Sequence, residues 1–134
     1  MPGYSGTPLP KKLGIKDGLH VCLIDAPPEV VAALKRSLEK CKLARDAKAP
    51  LDFAMLFTKS AASLNKEFTQ LAKNLAPTGM LWVSWPKKTS GVLTDLNENI
   101  VREIGLAAGL VDVKVCAVTD VWSGLKFVRR LKDR

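Results

Sequence analysis

The chain has 134 residues, 47% of them hydrophobic, which is enough for one globular domain with a real core, and no apolar run reaches membrane-spanning length. The formal net charge of +8 favours acidic partners without identifying them, and solvated basic helix faces with the tail Arg129 to Arg134 are its plain explanation. Cys22, Cys41 and Cys116 form an odd set without CxxC spacing, and the start Met1 to Gly6 lacks a signal-peptide layout, so reduced thiols in a cytoplasmic protein are expected.

Residues 1–18 hold Pro2, Pro8 and Pro10 with Gly3, Gly6, Gly14 and Gly18, a density that reads as an extended arm. Residues 19–134 then read as a single α/β domain. A first strand runs from Leu19 to Asp25, and Pro27, Pro28 and Glu29 suit the opening turn of a helix. Val30, Val31, Leu34, Leu38 and Cys41 recur at helical spacing. Lys42 to Pro50 is polar and loop-like. Leu51 to Thr58 is a second strand, apolar on both alternating sets, as expected for a strand covered on both faces.

Ser60 suits the N-cap of a helix with the stripe Leu64, Phe68, Leu71 and Leu75, ended by Pro77 and Gly79. A third strand spans Met80 to Trp85, and the loop Pro86 to Val92 leads to Asp95, which with Glu98 resembles a capping box. Leu96, Ile100, Val101, Ile104 and Ala108 form the next helical stripe, stopped by Gly109. Val111 to Ala117 and Gly124 to Arg130 are two more strands, and their short connection makes them antiparallel. The expected fold is α/β, a Rossmann-like mixed sheet of five strands reading β-α-β-α-β-α-β-β, in the order 1-2-3-5-4. Crossovers that always move one way place all three helices on one face.

The first strand-to-helix junction, Leu23-Ile24-Asp25-Ala26-Pro27-Pro28-Glu29, contains no glycine. In nucleotide-binding folds, glycines at this junction let backbone N–H groups close on a pyrophosphate, and neither proline here has an N–H to offer. Asp25 stands where catalytic carboxylates occur, with N-capping of the following helix as its simpler role. His20 begins a strand beside no nucleophile or carboxylate pattern, and no metal-ligand spacing is present. No cofactor and no metal are therefore expected.

In order of elements, Leu19 to Arg130 is similar to the C-terminal half of class I S-adenosylmethionine-dependent methyltransferases, most suggestively in Gly79-Met80-Leu81-Trp82-Val83, Gly109-Leu110-Val111 and Leu125-Lys126-Phe127-Val128. That resemblance implies a glycine-rich methyl-donor loop after the first strand, from which Asp25 to Glu29 depart, and an acidic residue at the end of a following strand that is missing here. In sequence motifs the chain also resembles a small bacterial family of uncharacterised function. Tyr4-Ser5-Gly6-Thr7-Pro8-Leu9, Lys11 to Lys16, Trp82-Val83-Ser84-Trp85-Pro86-Lys87-Lys88 and Val121 to Phe127 carry that likeness, which implies no reaction.

Two segments leave parallel strands at the carboxyl rim, where open α/β sheets bind ligands. Lys87, Lys88, Thr89 and Ser90 offer ammonium and hydroxyl groups for an anion, and Thr58, Lys59 and Ser60 add a helix N-terminus. Lys11, Lys12 and Lys16 offer charge for phosphates or, more simply, decorate a basic arm that packs on the domain, while Trp82, Trp85 and Trp122 offer stacking or, more simply, core. Gly105 and Gly109 are spaced for close packing and a helix stop.

The function expected from these residues is a non-catalytic binding module for a phosphate-bearing ligand. The alternatives are a nucleic-acid-associated basic protein and a degenerate methyltransferase-like enzyme. With all helices on one face, the apolar second face of the first three strands calls for the arm and a homodimer to cover it.

Overall fold

The computed structural model describes residues 6–44 and 50–134. Tyr4 and Ser5 of the family-like motif lie outside the described residues. The chain builds α1 (Leu9–Leu13), β1 (His20–Ile24), α2 (Pro28–Leu38), β2 (Lys42–Leu43), β3 (Leu51–Phe57), α3 (Ala61–Lys73), β4 (Leu75–Pro86), α4 (Glu98–Ala107), β5 (Leu110–Ala117) and β6 (Trp122–Arg129). One six-stranded sheet runs in the order β2-β1-β3-β4-β6-β5. β2, β1, β3 and β4 pair in parallel, and β6 lies antiparallel to both β4 and β5. The five expected strands keep their expected order, and a sixth joins at the edge.

That sixth strand corrects two expectations. Lys42 and Leu43 fall in the segment read as a loop, because two exposed residues carry no hydrophobic pattern. Pairing reveals them: Lys42 N–H donates to Leu19 O at 2.9 Å and Ala44 N–H to Val21 O at 2.7 Å. The step from β1 through α2 to β2 moves one way across the sheet, and β3 then pairs on the other side of β1. Right-handed crossovers in opposite directions put their helices on opposite faces.

The helices are accordingly split between the faces, not gathered on one. Val30, Leu34 and Leu38 of α2 pack with Val21, Phe53, Met55 and Phe57. Leu64, Phe68 and Leu71 of α3, with Val101 of α4, pack with Cys22, Ala54, Leu56, Leu81 and Val83. Both apolar sets of β3 are thus covered within one chain, and full burial of each such side chain contributes about 1.5–3 kcal/mol. The bare second face that called for the arm and a homodimer is covered by α2 and, over Trp82, by α1 of the arm.

The arm is also more regular than expected. Pro8 and Pro10 sit at the start of α1, where a missing N–H costs no helical hydrogen bond, and Gly14 closes it in the left-handed region at φ 87°. Leu13 is fully buried in the α2-side core, and its carbonyl accepts a 2.9 Å hydrogen bond from the buried Trp82 Nε1.

α3 ends at Lys73, earlier than Pro77 and Gly79 imply, because β4 already begins at Leu75. Between the pairs Leu51–Leu75 and Phe53–Met80 the register shifts, so residues 76–79 bulge. A Cβ on Gly79 would stand 2.5 Å from Leu51 O, so only glycine fits there. Arg129 closes the end of α3, its Nη2 donating to Ala72 O at 2.8 Å and Leu75 O at 2.6 Å.

α4 starts at Asn97, whose side chain accepts from Ile100 N–H at 2.9 Å, so Asp95 does not cap this helix. Arg102 Nε donates to Asp112 Oδ2 at 2.8 Å, tying α4 to β5, and its hydrogen bond holds the Asp112 carboxyl below its ordinary pKa. A depressed folded pKa contributes stability that is complete above the unfolded value and is lost as pH falls through the folded one. The stability gap between the wild type and Asp112→Asn is thus expected to hold from neutral pH to about pH 4 and to shrink below it. Denaturant titrations at stepped pH check this, and a gap undiminished in strong acid would assign the effect to packing instead.

Candidate functional site at the carboxyl rim

The reversal of strand order between β2-β1 and β3-β4 leaves a crevice at the carboxyl ends of β1 and β3, the place where open α/β sheets hold ligands. A cleft of about 490 Å3 opens there. Asp25 after β1, Thr58, Lys59 and Ser60 after β3, Ser63 and Glu67 of α3, and Trp122 of β6 line it. A size of this order suits a small molecule.

Each wall has a local cause. Asp25 adopts φ 57°, and it is the single non-glycine residue with positive φ among those described. Aspartate tolerates the left-handed region better than most residues, but the conformation still stores strain, and such strain concentrates at functional turns. Asp25 is exposed and does not cap α2, whose N-cap is Pro27 without a side-chain bond. Ser63 and Glu67 sit one turn apart on α3, off the buried stripe Leu64, Phe68 and Leu71, so both point toward the cleft. The rings of Phe57 and Trp122 meet edge to face at 5.2 Å and form the apolar floor.

The expected anion site is divided by this geometry. Thr58, Lys59 and Ser60 reach the cleft, whereas Lys87, Lys88, Thr89 and Ser90 are not among its walls. Lys88–Ser90 form a 3-10 turn in which Ser90 Oγ donates to Lys87 O at 2.6 Å and accepts from Val92 N–H. The helix N-terminus is occupied as well. Ser60 Oγ accepts from Ser63 N–H at 3.3 Å, and Asp95 Oδ1 accepts from Ala61 N–H at 2.8 Å. A carboxylate therefore already stands where an incoming anion would bind α3.

Ser63 and Glu67 were not singled out in the sequence. Their signal was positional: three and seven residues after an N-cap, on the polar side of an amphipathic helix. His20 is a strand residue in contact with Pro50 O through Nδ1 at 3.2 Å, as its lack of chemical neighbours implies. Trp82 and Trp85 are both buried core. Among the described residues no group of three or more His, Cys, Asp and Glu side chains is placed to hold a metal. Among the same residues no helix is long and apolar enough to cross a membrane.

Solved structures share this fold. Magnesium protoporphyrin IX methyltransferase from Synechocystis PCC 6803, solved with SAM bound, superposes with a TM-score of 0.60 at 12% identity over 91% of this chain and 74% of that one. The chain has a methyltransferase fold. A SAM-dependent methyltransferase from Aquifex aeolicus matches at TM-score 0.56 and 16% identity, covering 87% of this chain and 85% of that one. A Burkholderia thailandensis 1,6-didemethyltoxoflavin-N1-methyltransferase matches at 0.57 and 14% over 90% and 74%. No family model and no curated protein matches the sequence. At such identities the likeness extends to the Rossmann-like fold alone.

The methyl donor that this fold implies meets an unsuitable junction. A donor loop after β1 needs closely approaching backbone N–H groups, and this chain offers Ala26, Pro27 and Pro28. These residues do not fit that group in the usual way.

Proposed function

We propose that this protein is a degenerate methyltransferase: a methyltransferase scaffold that binds a small polar ligand in its switch-point cleft without holding the methyl donor at the first junction. The observation that carries the reading is the cleft itself, formed where the sheet order reverses and flanked by the glycine-free turn at Asp25.

The lining favours a compact, donor-bearing molecule. Asp25 and Glu67 accept hydrogen bonds or face a positive group, Thr58, Ser60 and Ser63 add hydroxyls, and Trp122 offers an apolar wall. A nucleoside has this chemistry, with hydroxyls and amine hydrogens for the carboxylates and a flat ring for the wall. A phosphate on it would meet the same carboxylates with only Lys59 to offset them. This reverses the preference for a phosphate-bearing ligand expected from the rim lysines.

Calorimetry with adenosine, adenosine monophosphate and S-adenosylmethionine tests the reading. Adenosine is expected to bind more tightly than its monophosphate and to lose affinity about tenfold in Asp25→Asn with Glu67→Gln, the loss of two charge-assisted hydrogen bonds at an open site. S-adenosylmethionine is expected to form no stoichiometric micromolar complex. A tight one-to-one complex with it, lost on altering Asp25, would restore the donor site. Tighter binding of the monophosphate would restore the anion reading.

A further inference from the structure

On the opposite side of the sheet from α3 and α4, Lys114 of β5 and Lys126 of β6 are directly opposed partners in the antiparallel ladder. Residues so placed share a face with Cα atoms about 5 Å apart, and like charges directly opposite each other are destabilising. Trp82, the partner of Lys126 on β4, belongs to the α2-side core, which fixes the face. Lys114 Nζ is anchored there by donating to Lys12 O at the end of α1, at 3.1 Å.

A third charge adds to the pair. Lys16, just beyond α1, lies close enough that its ammonium, with that of Lys114, pushes the pKa of the half-buried Lys126 down, behind burial as the largest cause. Among the described residues no carboxylate lies within ion-pairing distance of Lys16, Lys114 or Lys126. The strand pairing thus concentrates positive charge where no carboxylate among the described residues offsets it.

We propose that Lys16, Lys114 and Lys126 form a binding site for the phosphodiester backbone of nucleic acid. Ammonium groups on neighbouring strands address successive phosphates as compact point charges. Met80, Val111 and Val128, paired across the strands on this face, are half-buried and offer no protruding apolar group beside the lysines. Trp82 is fully buried and not free to stack on a base, which makes the contact one of charge and independent of sequence. None of the three lysines lines the rim cleft, so this site and the small-ligand site stand or fall separately.

Fluorescence anisotropy with a short labelled DNA duplex, titrated at several salt concentrations, tests the site. The variant Lys16→Gln, Lys114→Gln, Lys126→Gln is expected to bind at least tenfold more weakly at moderate salt. Its log–log salt slope should be shallower by about 2.7, at about 0.9 for each phosphate no longer neutralised. A second variant, Arg130→Gln, Lys132→Gln, Arg134→Gln, removes the same charge from the exposed tail and is expected to keep most of the affinity. Thermal melting confirms the fold, and the double variant of the exposed Lys16 and Lys114 replaces the triple one if that fails to fold. Equal losses in the face and tail variants, or no duplex binding by the wild type, would overturn the proposal. So would preferential binding to phosphatidylserine vesicles over the duplex.

Discussion

Gly105→Val is expected to lower stability by roughly 3 kcal/mol or more, the upper end of the cost of overpacking a filled core. Gly105 lies in the middle of α4 against the fully buried Phe127, and it is itself buried. A Cβ built there stands 2.6 Å from Phe127 Cδ1 and nearer still to Cε1 and Cζ. The ring has little room to swing clear, since it is fully buried and packed edge to face against Phe68 at 5.2 Å. Even Gly105→Ala carries opposing terms: about 1 kcal/mol gained from helix propensity and about 1–3 kcal/mol lost to the clash. A net loss is expected, and Phe127→Leu in the Gly105→Ala background should recover part of it. Chemical denaturation of the four proteins in the cycle measures that coupling. Full stability in the alanine variant would mean that α4 moves away from the sheet at little cost.

Trp82→Ala is expected to cost about 3–5 kcal/mol, the range for removing a buried aromatic side chain. The indole is fully buried between the sheet and α1, and its Nε1–H satisfies Leu13 O. Trp82→Phe separates packing from hydrogen bonding. It keeps most of the volume but leaves a buried carbonyl without its donor, at about 1–3 kcal/mol. That loss falls on α1, so limited trypsin digestion at Lys11, Lys12 and Lys16 should speed up in Trp82→Phe below the temperature of global unfolding. Cleavage that rises only with global unfolding would show that the indole does not latch α1 separately.

The relative order of five strands was legible because apolar runs and alternation mark most of them, and connection lengths then fix parallel or antiparallel pairing. What stayed hidden is small in residues and large in consequence. Lys42 and Leu43 are solvent-exposed, so no pattern marks them, yet their pairing with β1 reverses the sheet order, sends α2 to the second face and creates the crevice. The helix of the arm was hidden by its own composition. Proline and glycine density signals irregular chain, but Pro8, Pro10 and Gly14 sit at the positions where a helix tolerates or wants them.

The candidate site divides along the same line. Asp25 and the Thr58 to Ser60 turn follow recognisable strands and were visible, whereas the destination of the Asp95 carboxylate is tertiary. It reads as the cap of its own helix and serves the neighbouring one, because the segment before α4 crosses the start of α3, with Thr94 Oγ1 and Asp95 N–H both bonded to Lys59 O.

The last strand of the chain, β6, is not at the edge of the sheet but between β4 and β5. During synthesis, β4 therefore emerges with one side unpaired and stays so until β6 has been made. A long apolar strand edge held open in this way invites pairing with other chains. One contact of α1 waits on the same event, since Lys12 Nζ donates to Ala117 O of β5 across 105 positions. Native closure thus includes one pairing step of high contact order, and a chain without β6 would leave β5 detached from β4 and the Lys12 contact unmade.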